Sequence, residues 1–264
     1  MSTSLHPRTS TLLKFNVVEV CDILGAIVNG VARKAVMRLT QEQVLTAALD
    51  LLDEVGVDQL TMRRLTAALG VQNGATYWHF RSKQALMEAM ADALLAGLTT
   101  GLDKKTPWYE RVTELARRLR RALMSRRDGA RIFAGAFFPL PNALAYGETM
   151  IATLGEAGLS SRDASWAADT LTYYVIGHTI EEQLAAALPD GGNSATARLT
   201  DAVDPQRHPH LFAALAHVPA PHHEQHFDYG LHLVITGIRG GTHVDHRVPP
   251  RRQEPPSGPA RRPR

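Results

Sequence analysis

Between Thr61 and Phe80 the chain leaves room for only short helices, and that constrains everything around it. Thr61 stands as a cap one step before an apolar set, Leu65, Ala68 and Leu69, which Gly70 stops after barely two turns. After this break QNGATYWHF is long enough for one more short helix. RSKQALMEAMADALLAGL then carries a longer amphipathic one over 81–98. Upstream, Thr40 with Gln43 three residues on makes a capping box. Val44, Ala47, Ala48, Leu51, Leu52 and Val55 follow as one stripe, and Gly56 closes it. Two short helices meeting at a tight glycine-bearing turn, braced by a third, predict a helix-turn-helix over about 61–80.

The remainder reads as helix too. Ala, Leu, Arg and Glu dominate, no long stretch alternates apolar with polar residues, and a 44% apolar content supplies a packed core. Helices are expected near 107–127, 141–157, 160–188 and 212–240, with PDGGNSATARLTDAVDPQRHP as a mobile loop between the last two. The fold class is therefore all-α, divided as 1–36 (an extension), 37–98 (the helix-turn-helix domain), 99–242 (a larger helical domain) and 243–264. That last piece, rich in Pro and Arg, is expected to be disordered.

The only cysteine, Cys21, excludes an internal disulfide. The start, MSTSLHPRTSTLLK, lacks the order of a cleaved signal, and Glu19 and Asp22 interrupt the apolar run VVEVCDILGAIV. No membrane span is expected, and the chain reads as cytoplasmic. The net charge of +3 is not a nucleic-acid signature by itself. Arg247, Arg251, Arg252, Arg261, Arg262 and Arg264 stand against Asp245 and Glu254, so the positive excess lies in the tail.

In a helix-turn-helix the second helix enters the major groove of double-stranded DNA while the first braces it. Here the second helix would run over 72–79. Gln72 and Asn73 at its start carry amides able to pair with adenine N6 and N7. Gly74 and Ala75 are small enough for close approach to bases and thymine methyls. Tyr77 and His79 reach phosphates, and Arg63 and Lys83 add charge on the same side. Tyr77 and Trp78 also suit a core, and for Trp78 partial packing is expected rather than contact with DNA.

The run LTMRRLTAALGVQNGATYWHFRSKQALMEAMAD closely resembles the DNA-binding domain of the tetracycline-repressor (TetR) family. The resemblance rests on Thr61, Leu65, Leu69-Gly70-Val71, Tyr77-Trp78-His79-Phe80, Lys83 and Leu86. Three positions depart from it: the family commonly carries Ala where Thr66 stands, Leu where Thr76 stands and a hydroxyl residue where Ala75 stands. RRALMSRRDGARIFAG, YYVIGHTIEEQ and HFDYGLHLVITGIRG resemble the ligand-binding domain of the tetracycline repressors proper, so the likeness spans about 37–240. It implies a ligand-released repressor, not an enzyme, that works as a homodimer on a near-palindromic operator. It implies further that 160–188 and 222–240 form the dimer interface.

Tetracycline repressors hold a drug–magnesium chelate, and the matching positions here carry Thr99, Phe133, Ala136 and Tyr173. Phe133 and Ala136 offer Mg²⁺ no donor, so the resemblance implies the architecture and neither the drug nor a cofactor. Glu181 matches a pocket glutamate of the family. The candidate ligand residues are Phe133, Phe137, Phe138, Met150, Tyr173, Tyr174, His178 and Glu181. Apolar walls with a few polar groups suit a small hydrophobic or aromatic ligand, although such a cluster at helical spacing also describes an ordinary core.

Nine of the twelve histidines follow Thr200, and His222 and His226 stand one helical turn apart. That spacing opens a metal-binding or helical-enzyme alternative. No H-E-x-x-H order or nucleophile–base pair supports either. An interaction protein whose first domain no longer binds DNA is the third reading.

Overall fold

The computed structural model describes residues 39–72, 74–136, 139–188, 193–217 and 223–241, and among them every regular element is a helix. Helix α1 (Gln41–Val55) starts at the expected capping box. The Thr40 hydroxyl accepts from the Gln43 amide at 3.2 Å, and the Gln43 side chain accepts from the Thr40 amide at 2.9 Å. Gly56 closes the helix at φ 76°, where a side chain would be strained. Thr61 caps α2 (Met62–Ala68) by accepting from the Arg64 amide. Ala68, expected on the apolar stripe, is exposed, because this two-turn helix directs Met62, Leu65 and Thr66 inward.

The segment after the turn departs from expectation. The helix expected over 72–79 is a single 3-10 turn, Thr76–Trp78, flanked by i to i+3 bonds. Tyr77 donates to the Gly74 carbonyl and His79 to the Thr76 carbonyl. Gly, Thr and aromatic residues are indifferent helix formers, and so short a piece cannot propagate an α ladder. Helix α3 (Lys83–Leu94), capped by Ser82, is shorter than the expected 81–98. After Leu94 the chain passes into turns, with Gly97 and Gly101 at positive φ.

The larger unit holds α4 (Trp108–Met124), α5 (Gly129–Ala134), α6 (Pro141–Gly155), α7 (Ser161–Ala187), α8 (Asn193–Ala202), α9 (Pro209–Ala214) and α10 (His223–Gly240). The long α7 packs against α4, α5, α6 and α10. Two expectations are corrected here. The stretch expected as loop contains α8, because SATARL forms a helix between Gly192 and Pro205. The helix expected over 212–240 is split into α9, a 3-10 turn at Leu215–His217, and α10. Pro219 and Pro221 in the intervening sequence cannot continue a helix.

Among the described residues there are two apolar cores. One, in the head, joins α1, α2 and α3 through Val44, Leu52, Leu60, Leu65, Phe80, Leu86 and Met90. The other, in the body, centres on Leu115, Leu119, Met150, Leu171, Val175 and Phe227. Ile132 of α5 is wholly buried in the head's core, and its neighbour Phe133 packs against both. No helix among the described residues is long and apolar enough to cross a membrane.

Candidate functional site

In the head, Thr61 and Arg63 lie exposed on α2, Lys83 is the exposed first residue of α3, and Gln72, Gly74 and Tyr77 are exposed on the segment between. Ala75 and His79 are half-buried, and Asn73 lies outside the described residues. A 3-10 helix repeats every three residues, so Thr76 takes the inward side, His79 comes back towards it, and positions 77 and 78 point away. Trp78 is accordingly 89% exposed, which corrects the expectation that it packs. Within the segment only Thr76 is buried among the described residues 72–79.

Two of the three positions that depart from the family pattern meet. Thr66 and Thr76, both buried, place their Oγ1 atoms 3.1 Å apart, and the Thr66 hydroxyl also reaches the Met62 carbonyl at 2.8 Å.

Head and body are joined by more than α3. The Val57 amide donates to Asp128 Oδ2. Arg126 donates to Asp50 and Asp53, Arg131 to Asp58, and the Arg127 amide to Asp53. The Asp53 and Asp58 carboxylates, by hydrogen bonding, raise the pKa of Arg126 and Arg131 respectively, and Arg131 in turn lowers that of Asp58. From α7, the Gln183 amide nitrogen donates to the Leu123 and Arg126 carbonyls, and its oxygen accepts from the Ala130 amide. Gly129 is obligatory in this loop, because a Cβ there would lie 2.2 Å from the Leu123 carbonyl oxygen. At the other end of α3 the Asp92 carboxylate accepts from Asn142 and from the Ala143 amide, stabilising the start of α6.

In the body, one face of α7 forms a polar cluster with α4 and α10. Arg120 pairs with Glu182 through two hydrogen bonds, 2.9 and 2.7 Å, and lies 5.0 Å over the Phe227 ring. Tyr174 stacks on Phe227 and donates to its carbonyl at 2.8 Å. The close fit requires Gly230, where a Cβ would lie 2.3 Å from the Tyr174 hydroxyl. His178 is edge-on to Phe227 and 5.4 Å from the His226 ring. Its buried Nδ1 has no hydrogen-bond partner, Glu182 being 3.8 Å away. Burial pushes the His178 pKa down, with Glu182 opposing.

The expected ligand set is therefore divided. Tyr174 and His178 come together, Met150 is wholly buried in the body core, and Phe133 sits at the junction of the cores. Tyr173 and Glu181 are exposed in the single chain, since each residue turns an α-helix by 100°. The inward stripe of α7 is Ala164, Ala168, Leu171, Val175, Thr179 and Glu182, so Glu182 and not Glu181 is the buried carboxylate. Phe137 and Phe138 lie outside the described residues. Phe133 packs among apolar side chains and Ala136 brings only a methyl group, so these positions do not fit a magnesium chelate. His222 is outside the described residues. Among those described, no group of three or more His, Cys, Asp or Glu is placed to hold a metal. Sequence reasoning missed Arg120, Glu182 and Gln183. The stripe through Leu171 and Val175 was the available signal for Glu182.

Residues 44–90 match the model of bacterial regulatory proteins of the tetR family, and residues 100–241 match that of the tetracyclin repressor-like C-terminal domain. The tetracycline repressor protein class A from transposon 1721 of Escherichia coli is 38% identical over 205 residues, covering 76% of this chain and 91% of that protein. A possible TetR family transcriptional regulator from Streptomyces coelicolor A3(2) has a solved structure that matches with a TM-score of 0.70. The two are 40% identical, over 76% of this chain and 99% of that one. ActR of Streptomyces coelicolor, solved in complex with actinorhodin, matches with a TM-score of 0.69 at 26% identity, over 78% of this chain and 99% of that one.

Proposed function

The chain belongs to the tetracycline-repressor family of bacterial regulatory proteins, and from that premise we propose how its own residues read DNA and answer a ligand. It is a DNA-binding transcriptional repressor of the ligand-released type, not an enzyme. Gln72, Asn73, Gly74 and Ala75 meet base edges. Thr61, Arg63, Tyr77, His79 and Lys83 engage phosphates. The observation that carries this reading is the exposure pattern after Gly70: among the described residues 72–79 only Thr76 is buried, leaving Gln72, Gly74 and Tyr77 outward. The Thr61 hydroxyl accepts the Arg64 amide with one oxygen lone pair and keeps its proton for a phosphate.

The head comprises 37–98 and the body 99–242. Two copies pair through α7 and α10, whose outward faces carry Trp166, Tyr173, Tyr229 and Leu233 exposed to solvent in the single chain. Such a dimer needs a near-palindromic operator in double-stranded DNA, and the protein acts in the cytoplasm where that DNA lies. The ligand is small and hydrophobic or aromatic, bound in the body near Phe133, Tyr174 and His178. The actinorhodin complex of ActR, a regulator of similar fold, supports a small-molecule ligand.

A gel shift on a duplex selected from random DNA tests the reading. Replacing Asn73 or Tyr77 by Ala weakens binding by about 1–3 kcal/mol with the fold intact. Unchanged affinity removes the segment from the reading role.

A further inference from the structure

We propose that Thr76 is a positioning residue for DNA recognition: its hydroxyl, docked on Thr66, fixes the angular setting of the reading segment against α2. The segment needs such a pin. It has one 3-10 turn in place of a regular helix, its bonds to itself run mainly from i to i+3, and no other described side chain between 72 and 79 is buried. Nothing in its own backbone holds it as a helix would.

The direction of the bond follows from counting protons. A threonine hydroxyl has one, and the Thr66 proton points to the Met62 carbonyl at 2.8 Å. In the 3.1 Å contact between hydroxyls Thr76 must therefore donate and Thr66 accept. The backbone carries the same connection on both sides. The Thr66 carbonyl accepts from the Val71 amide across the Gly70 turn, and the Thr76 carbonyl accepts from the amides of His79 and Phe80. A continuous set of hydrogen bonds thus runs from Met62 in α2 to Phe80, with the two threonines in the middle. An apolar pair in the same space would fill it without direction, since dispersion contacts tolerate rotation that a hydrogen bond does not. Both side chains are β-branched, which limits them to few rotamers and stiffens the link.

The proposal rests on residues 72–79 being the reading segment, and the experiment separates the two ideas. Full-length protein is titrated with the tightest duplex from a selection on random DNA, and with a random duplex of equal length. Thr76→Val keeps the shape and loses the donor. Its affinity for the selected duplex falls about tenfold while that for random DNA is unchanged. Thr76→Ser restores the donor and stays within about twofold. Thr66→Ala loses as much as Thr76→Val, and the double variant loses no more than either alone, because the two act as one unit. Should Thr76→Val fail to fold by circular dichroism, Thr66→Ala gives the same comparison, with the residue the family commonly carries there. Equal behaviour of the Ser and Val variants, additive losses, or a parallel fall on both duplexes overturns the proposal. Gln72→Ala is the control: if it leaves the preference for the selected duplex intact, the reading segment itself has been misassigned.

Discussion

Asp128 accepts the Val57 amide at 2.9 Å from a left-handed backbone, φ 56°, and so bonds head to body across 71 residues of chain. The conformation is one that Asp and Asn tolerate better than most residues. Asp128→Ala leaves a part-buried amide without a partner while keeping the backbone strain. We expect a loss of about 1–3 kcal/mol in stability. Asp128→Asn keeps both an acceptor and the tolerance of positive φ, and loses clearly less. Urea unfolding of the two variants decides the matter: equal losses would mean that the bond contributes nothing.

The parts of the fold that local chemistry dictates were legible in the sequence. The Thr40–Gln43 box, the Thr61 cap and the stop at Gly56 each need only residues within one turn, and each is present. What failed depended on rotation or on tertiary support. The rotation of α7 is one case: Tyr173 and Glu181 face solvent in the single chain, and the buried carboxylate is Glu182. Trp78, expected to pack in part, is turned outward by the 3-10 geometry. The link between Thr66 and Thr76 could not be seen from either departure alone: the Thr66 hydroxyl has the Met62 carbonyl as its own acceptor, and the buried Thr76 hydroxyl finds its partner only across the turn.

The Arg120–Glu182 pair is mostly buried, with side chains 15% and 11% exposed. Removing one partner strands the other charge. Glu182→Ala is expected to lower stability by about 3–5 kcal/mol, measured by denaturant unfolding. Replacing both residues by apolar ones of similar volume should restore most of it, since the desolvation of both charges disappears together. A double replacement as damaging as the single one contradicts that account.

His178 gives the body a pH dependence of known sign. Its folded pKa lies below the ordinary value because of burial, with Arg120, His226 and His223 adding to the effect and Glu182 opposing it. The unfolded chain therefore takes up this proton first as pH falls. The contribution to stability is complete above about pH 6.5 and is lost as pH drops from there through the folded pKa. His178→Phe should flatten the slope of stability against pH below about pH 6.5. A slope unchanged from the parent protein would assign the titration to other histidines.

The joint suggests how a ligand in the body reaches the head. Gln183 stands one residue after Glu182 and five after His178 on α7, and it holds the turn between α4 and α5, where Arg126 and Asp128, with Arg131 just beyond, bond to the head. A ligand that shifts α7 near His178 moves that loop, and α3 supplies a second connection through Asp92 and α6. DNA and ligand then favour different arrangements, and each must weaken the other's binding by the same factor. Titrating polycyclic aromatic compounds into the protein–DNA complex should release DNA with a coupling of about 1–3 kcal/mol, roughly 5- to 150-fold in affinity. Release should not need Mg²⁺, because Phe133 and Ala136 occupy the positions that would have to ligate it. In Gln183→Leu the same compound should still bind while the coupling shrinks. Release that strictly requires Mg²⁺ refutes the metal-free site, and full coupling in Gln183→Leu refutes the route through the loop.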